Sequence, residues 1–95
     1  MSDGPPPTRV GEQPQIAAHR HSSNHRAEIE RSTLSGCFHC LAIYAPETIK
    51  AWIDGDNTAL CPSCRIDSVI GDASEFPVTE DFLRAMNAHW FRTRP

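Results

Sequence analysis

Hydrophobic side chains are unevenly spread along the chain. From Leu34 onward it carries every phenylalanine, tyrosine and tryptophan, whereas the segment before it has few large apolar residues. In that first segment, prolines at 5, 6, 7 and 14 and glycines at 4 and 11 oppose regular structure. Asn24 can cap a short helix through AEIER, but Ile29, its single large aliphatic residue, provides no apolar stripe. Residues 1–33 therefore read as a flexible tail and 34–95 as the folded domain.

Within that domain three stretches have helical spacing. Ala45-Pro46-Glu47 resembles a helix start, because proline suits a first helical position whose N–H would be unpaired anyway. Ile49, Trp52 and Ile53 follow at i, i+3 and i+4, and Gly55 with its neighbours ends the run. Ile66, Val69 and Ile70 repeat the spacing, with Gly71 placed to stop a helix. Thr79 is a candidate cap for a third helix, with Glu80 and Asp81 in the first turn where the dipole favours negative charge. Phe82, Met86 and Trp90 line one side of it, and Leu83 widens the stripe. Thr58-Ala59-Leu60 is a short extended run leading to Cys61. The predicted class is a small α+β domain with short strands at the cysteines and about three short helices.

The length of 95 residues limits the chain to one domain and a tail. No run approaches the roughly 18 to 20 apolar residues of a membrane span, and the N-terminus lacks the basic and apolar regions of a secretory signal. A cytoplasmic location is expected, where thiols stay reduced and metal binding is favoured over disulfides. Charge is also asymmetric. Four arginines balance four acidic residues before Cys37, so the whole net charge of −3 falls on the part from Cys37 onward. An acidic domain has no general attraction for nucleic acid, although Arg84, Arg92 and Arg94 could form a local patch.

All four cysteines lie in two C-x-x-C pairs, Cys37/Cys40 and Cys61/Cys64, separated by twenty residues. This is the double-knuckle spacing of structural zinc sites. Each C-x-x-C turn delivers two thiolates from adjacent positions and directs its own backbone N–H groups at the sulfurs, and two turns complete a tetrahedron. Pro62 restricts the second turn. Cys37, Cys40, Cys61 and Cys64 are thus the expected ligands of one structural Zn²⁺. Four thiolates leave no coordination position for water, so the ion acts as a cross-link. A domain this small needs one, since structural zinc contributes roughly 10 to 16 kcal/mol near neutral pH.

Other groups are weaker candidates. His39, inside the first pair, could replace a cysteine, but four sulfurs suffice. His19, His21 and His25 could form a second metal site only if their segment were ordered. Asp54, Asp56, Asp67 and Asp72 lie near turns and could be paired acids, but they read as caps and turn stabilisers. Ser63 and Ser68 have no histidine at a recognisable spacing. No catalytic constellation emerges, and the expectation is a non-enzyme. A thioredoxin-like redox pair would need a larger βαβ context. Iron is the other alternative: CPSC and Tyr44 are similar to features of rubredoxins, but those carry glycine after each pair, where Leu41 and Arg65 stand here.

The segment TALCPSCRIDSVIGDASEFPVTEDFLRAMNAHWF, and the chain over about residues 36–91, resembles small bacterial cytoplasmic proteins with two C-x-x-C knuckles. CPSC followed by IDSVIGD is the most specific part of the match. That resemblance implies a zinc-binding fold and no activity. Arg65 stands where the pattern often has glycine, which puts the backbone at 65 in question. Both a zinc ribbon and a treble clef fit, and helical spacing from Ile66 favours the treble clef. A His-Asn-His nuclease would need more histidines than His89 beside the knuckles. The expected function is a zinc-stabilised module binding another macromolecule, foremost a protein. Nucleic-acid binding and rubredoxin-like electron transfer are the alternatives.

Overall fold

A computed structural model describes residues 13–91. The order of elements is α1 (Pro14–His19), a 3-10 turn (Arg20–Ser22), α2 (Arg26–Arg31), β1 (Ser35–Cys37), β2 (Ile43–Tyr44), a 3-10 turn (Pro46–Thr48), β3 (Trp52–Ile53), β4 (Thr58–Ala59), β5 (Val69–Gly71), a 3-10 turn (Asp72–Ser74) and α3 (Glu80–Phe91). Strands β2, β1 and β5 form an antiparallel sheet in that order, and β3 and β4 form a separate antiparallel hairpin. The expected α+β class holds.

Two hydrophobic cores meet at the three-stranded sheet. One combines Ala17 and Ala18 of α1 with Phe38, Ile70, Phe76, Val78, and Leu83 and Met86 of α3. The other contains Ile29 of α2, Cys37, Ile49, Ala59, Cys61 and Val69. Gly36 lets α3 approach β1 closely, because a Cβ there would lie 2.8 Å from Leu83 Cδ1 and 2.9 Å from Val78 Cγ1.

The sequence reading of α3 is matched at its start. The Phe82 N–H donates to Thr79 Oγ1 at 3.2 Å, and the Leu83 N–H donates to the Thr79 carbonyl at 2.9 Å. Its inward face is nevertheless centred on Leu83, Met86 and Asn87, while Trp90 is exposed.

Two predicted helices are absent. Pro46 opens only a three-residue 3-10 turn, and Trp52 and Ile53 belong to β3. Three apolar residues with exposed Lys50 and Ala51 between them cannot sustain a helix, and pairing with β4 satisfies their backbone instead. After Cys64 the chain enters β5, whose Val69, Ile70 and Gly71 pair with Cys37, Gly36 and Ser35. The β-branched pair Val69-Ile70 suits this strand, buried on both faces. Gly71 does not end a helix. A Cβ there would lie 2.2 Å from Ser32 Oγ, so its role is close approach to the end of α2.

The flexible tail expected over residues 1–33 is also corrected for its described part, 13–33; residues 1–12 lie outside the described residues. Helix α1 packs along α3 with Ala17 and Ala18 fully covered, and Trp90 Nε1 donates to the Gln15 carbonyl at 3.1 Å. Asn24 does not cap α2; it takes a left-handed turn conformation (φ 48°), and its N–H donates to Thr58 Oγ1 at 2.8 Å. Small alanines and one isoleucine suffice for this docking because they enter cores built by later residues.

Candidate metal centre

The first knuckle closes the β1–β2 turn, and the second lies between β4 and β5. Each follows the same local geometry. The Leu41 N–H donates to the Cys37 carbonyl at 2.8 Å, and the Arg65 N–H to the Cys61 carbonyl at 2.9 Å. The Cys37 N–H donates to the Ala42 carbonyl at 2.9 Å, and the Cys61 N–H to the Ile66 carbonyl at 3.0 Å. Leu41 and Arg65 both have φ 68°, the left-handed region where glycine would be strain-free. The departure from glycine seen in the sequence therefore leaves the turn intact, but at the expense of backbone strain.

Backbone donors converge on the first sulfur of each pair. His39 and Cys40 N–H groups point at Cys37 Sγ at 3.3 and 3.5 Å, and Ser63 and Cys64 N–H groups point at Cys61 Sγ at 3.3 and 3.5 Å. Ser68 Oγ lies 3.1 Å from Cys37 Sγ. These contacts stabilise thiolate over thiol.

The four ligand atoms lie within 4.8 Å of one another. Cys37 Sγ and Cys64 Sγ are 3.6 Å apart, and Cys40 Sγ and Cys61 Sγ 3.7 Å apart. A tetrahedron with metal–sulfur bonds of about 2.3 Å has edges of about 3.8 Å. All four cysteines are free. The structure thus brings together the four cysteines singled out by spacing, at a separation that could hold one metal ion.

Electrostatics differ among the sulfurs. Burial pushes the Cys61 thiol up, but the Tyr44 phenol and the Cys64 and Ser63 N–H groups outweigh it and lower the thiol to about 7. The Tyr44 hydroxyl is buried with no partner at hydrogen-bond distance, so it acts on Cys61 as a neighbouring O–H dipole. Burial raises the Cys37 and Cys64 thiols, and the nearby sulfurs add to this. Four thiolates in this space repel one another, and a cation at their centre removes the repulsion.

The remaining candidates have other partners. The His39 ring is exposed and packs edge-on against Phe91, with centroids 4.8 Å apart. His19 stacks on Trp90 at 4.0 Å, and His21 Nδ1 lies 3.0 Å from the Glu28 carboxylate. His25 is buried: its Nδ1 donates to the His21 carbonyl at 2.6 Å, and its Nε2 accepts from the Ala59 N–H at 3.0 Å. These three histidines do not converge. Asp54 Oδ2 accepts from Thr58 Oγ1 at 2.9 Å and stabilises the β3–β4 turn, whereas Asp72 Oδ1 accepts from the distant Thr33 N–H at 2.9 Å and ties the end of α2 to the turn after β5. Asp56 is exposed, and its carbonyl accepts from Arg26. Ser63 contributes its backbone, and His89 rests edge-on against Trp90 at 4.7 Å. Arg84 pairs with Glu80 on the exposed face of α3, while Arg92 and Arg94 lie outside the described residues.

Two supporting residues escape a reading from spacing. Asn87 Nδ2 donates to the His39 carbonyl at 3.0 Å, tying α3 to the first knuckle. Its position on the apolar face of α3, next to Met86, is the signal that could have marked it. Ser68 beside Cys37 has no comparable signal, because it depends on pairing β5 with β1.

The fold and the cysteine cluster define a small α+β domain with a candidate metal centre. No family model matches the chain, and neither a curated protein nor a solved structure matches it. Among the described residues, no helix is long and apolar enough to cross a membrane.

Proposed function

We propose that this chain is a non-catalytic, zinc-stabilised module that binds another macromolecule, foremost a protein, in the cytoplasm. The observation that carries the reading is the closed set of four sulfurs within 4.8 Å. Zinc suits it because a d¹⁰ ion has no geometric preference of its own and accepts four thiolates. Cys37, Cys40, Cys61 and Cys64 would fill its coordination shell, leaving a cross-link between the two knuckles. A ribbon is the better architectural reading than a treble clef, because the second knuckle leads into β5, which pairs with the strand carrying the first.

Native mass spectrometry of the full chain, purified without added metal, tests it. One zinc per chain is expected. Iron with visible absorbance would favour electron transfer, and metal-free but folded protein would end the proposal. Cys61→Ser should lose zinc and most native circular dichroism.

Nucleic-acid binding is the second reading, favoured by a cleft of about 220 Å³ beside Cys61 that is lined by Lys50 and Arg65. Retention on DNA or RNA that falls steeply with salt would support it.

A further inference from the structure

A second cleft, of about 400 Å³, opens beside the first knuckle between α1, α3 and the chain leading to β5. Phe38 is buried at its floor, and Trp90 and Phe91 line it while remaining 37% and 39% exposed. These two aromatics are adjacent at the end of α3. Single exposed apolar residues are ordinary, but two aromatics sharing one concavity are a recognition feature.

Among the described residues, the formal charge lining this cleft is negative. Asp67 is exposed at its wall, and among the described residues neither lysine nor arginine lines it. Asp67 makes no hydrogen bond or ion pair among the described residues; His19 lies within its field. Burial disfavours the charged form of His19, lowering its pKa. The surrounding domain is acidic, because the net charge of −3 lies wholly from Cys37 onward. A cation placed between aromatic faces and a carboxylate gains from both, whereas an anion meets repulsion.

We infer that this cleft is the docking site for a basic segment of a protein partner, seating one lysine or arginine side chain against Trp90 and Phe91 with its charge at Asp67. The inference rests on reading the domain as a metal-ordered interaction module, and names the partner's chemistry. Exposure of the aromatics accounts for affinity, and Asp67 accounts for selection between cationic and neutral side chains.

The test uses the full chain with zinc content confirmed by native mass spectrometry. A blocked Ala-Ala-Arg-Ala-Ala peptide and its citrulline counterpart are titrated in 150 mM salt while amide and indole N–H resonances are followed. The arginine peptide should shift the Trp90 indole N–H and bind about three- to fivefold tighter than the citrulline peptide. Asp67→Asn should remove that difference, and Asp67→Lys should weaken arginine binding by on the order of tenfold. Asp67 is exposed and has no bonded partner among the described residues, so both variants should keep the fold.

Equal binding of the two peptides would overturn the inference, as would shifts confined to the Trp52 side of the molecule. Displacement of the peptide by a DNA oligonucleotide giving the same shifts would also overturn it. So would markedly tighter binding after truncation at Phe91, which would make the chain's own Arg92 or Arg94 the occupant. A protein that holds no zinc refutes the parent reading instead, and the metal content of the same sample shows which has failed.

Discussion

Replacing Gly71 by alanine tests whether α2 is seated on β5. The added methyl would lie 2.2 Å from Ser32 Oγ, 2.9 Å from Ser32 Cβ and 3.2 Å from Ile29 Cδ1. Ile29 can turn its terminal methyl away, but Ser32 cannot yield easily. Its hydroxyl donates to the Glu28 carbonyl at 2.9 Å and accepts from the Ala73 N–H at 3.0 Å. Moving it sacrifices two hydrogen bonds, each worth about 0.5 to 1.5 kcal/mol, on top of overpacking of about 1 to 3 kcal/mol. A loss of about 2 to 6 kcal/mol follows, or a fall in Tm of at least about 8 °C for a domain of this size. Urea unfolding at saturating zinc measures the loss, and hydrogen exchange at residues 26–31 shows whether α2 has detached. Ser32→Gly removes the clash, so Gly71→Ala should add less than about 1 kcal/mol in that background, a coupling readable from the double-mutant cycle. An unchanged urea midpoint with unchanged exchange in Gly71→Ala would refute the seating of α2.

Three further outcomes are expected. Arg65→Gly should raise stability by up to about 1 kcal/mol in urea at fixed zinc, because it relieves a left-handed backbone at an exposed position. Burial lowers the His25 pKa below its ordinary 6.5, so the folded chain binds fewer protons there than the unfolded one. His25's contribution is therefore fully present above about pH 6.5 and declines as pH falls below it; His25→Gln should flatten the stability profile below about pH 6.5, read by urea midpoints at saturating zinc. Thr79→Ala should cost about 1 kcal/mol by removing the α3 cap, seen as a lower thermal midpoint.

The cysteine cluster was legible because C-x-x-C spacing determines local turn geometry with little help from the rest of the chain. Helix α3 was legible for a similar reason: Thr79, two acidic residues and an apolar stripe all favour it locally. Spacing failed where tertiary pairing decides. Ile49, Trp52 and Ile53 fit a helical period, yet Trp52 faces Ala59 across a hairpin. Ile66, Val69 and Ile70 fit it too, but the β-branched pair joins the sheet that carries the first knuckle. Docking of residues 13–33 was illegible for another reason. Ala17 and Ala18 carry little hydrophobic signal, and their burial depends on α3, more than sixty residues further along the chain.

Cys37 and Phe38 are consecutive, as are Val69 and Ile70, yet the first of each pair belongs to the sulfur-bearing core and the second to the helical core. The sheet is thus a thin wall loaded from both sides, and neither layer can relax without dragging on the other. Release of an ion on one side would reach α1 and α3 through these two dipeptides, although neither helix carries one of the four cysteines. A change in the fluorescence of Trp90 would then report events in a layer that it does not share.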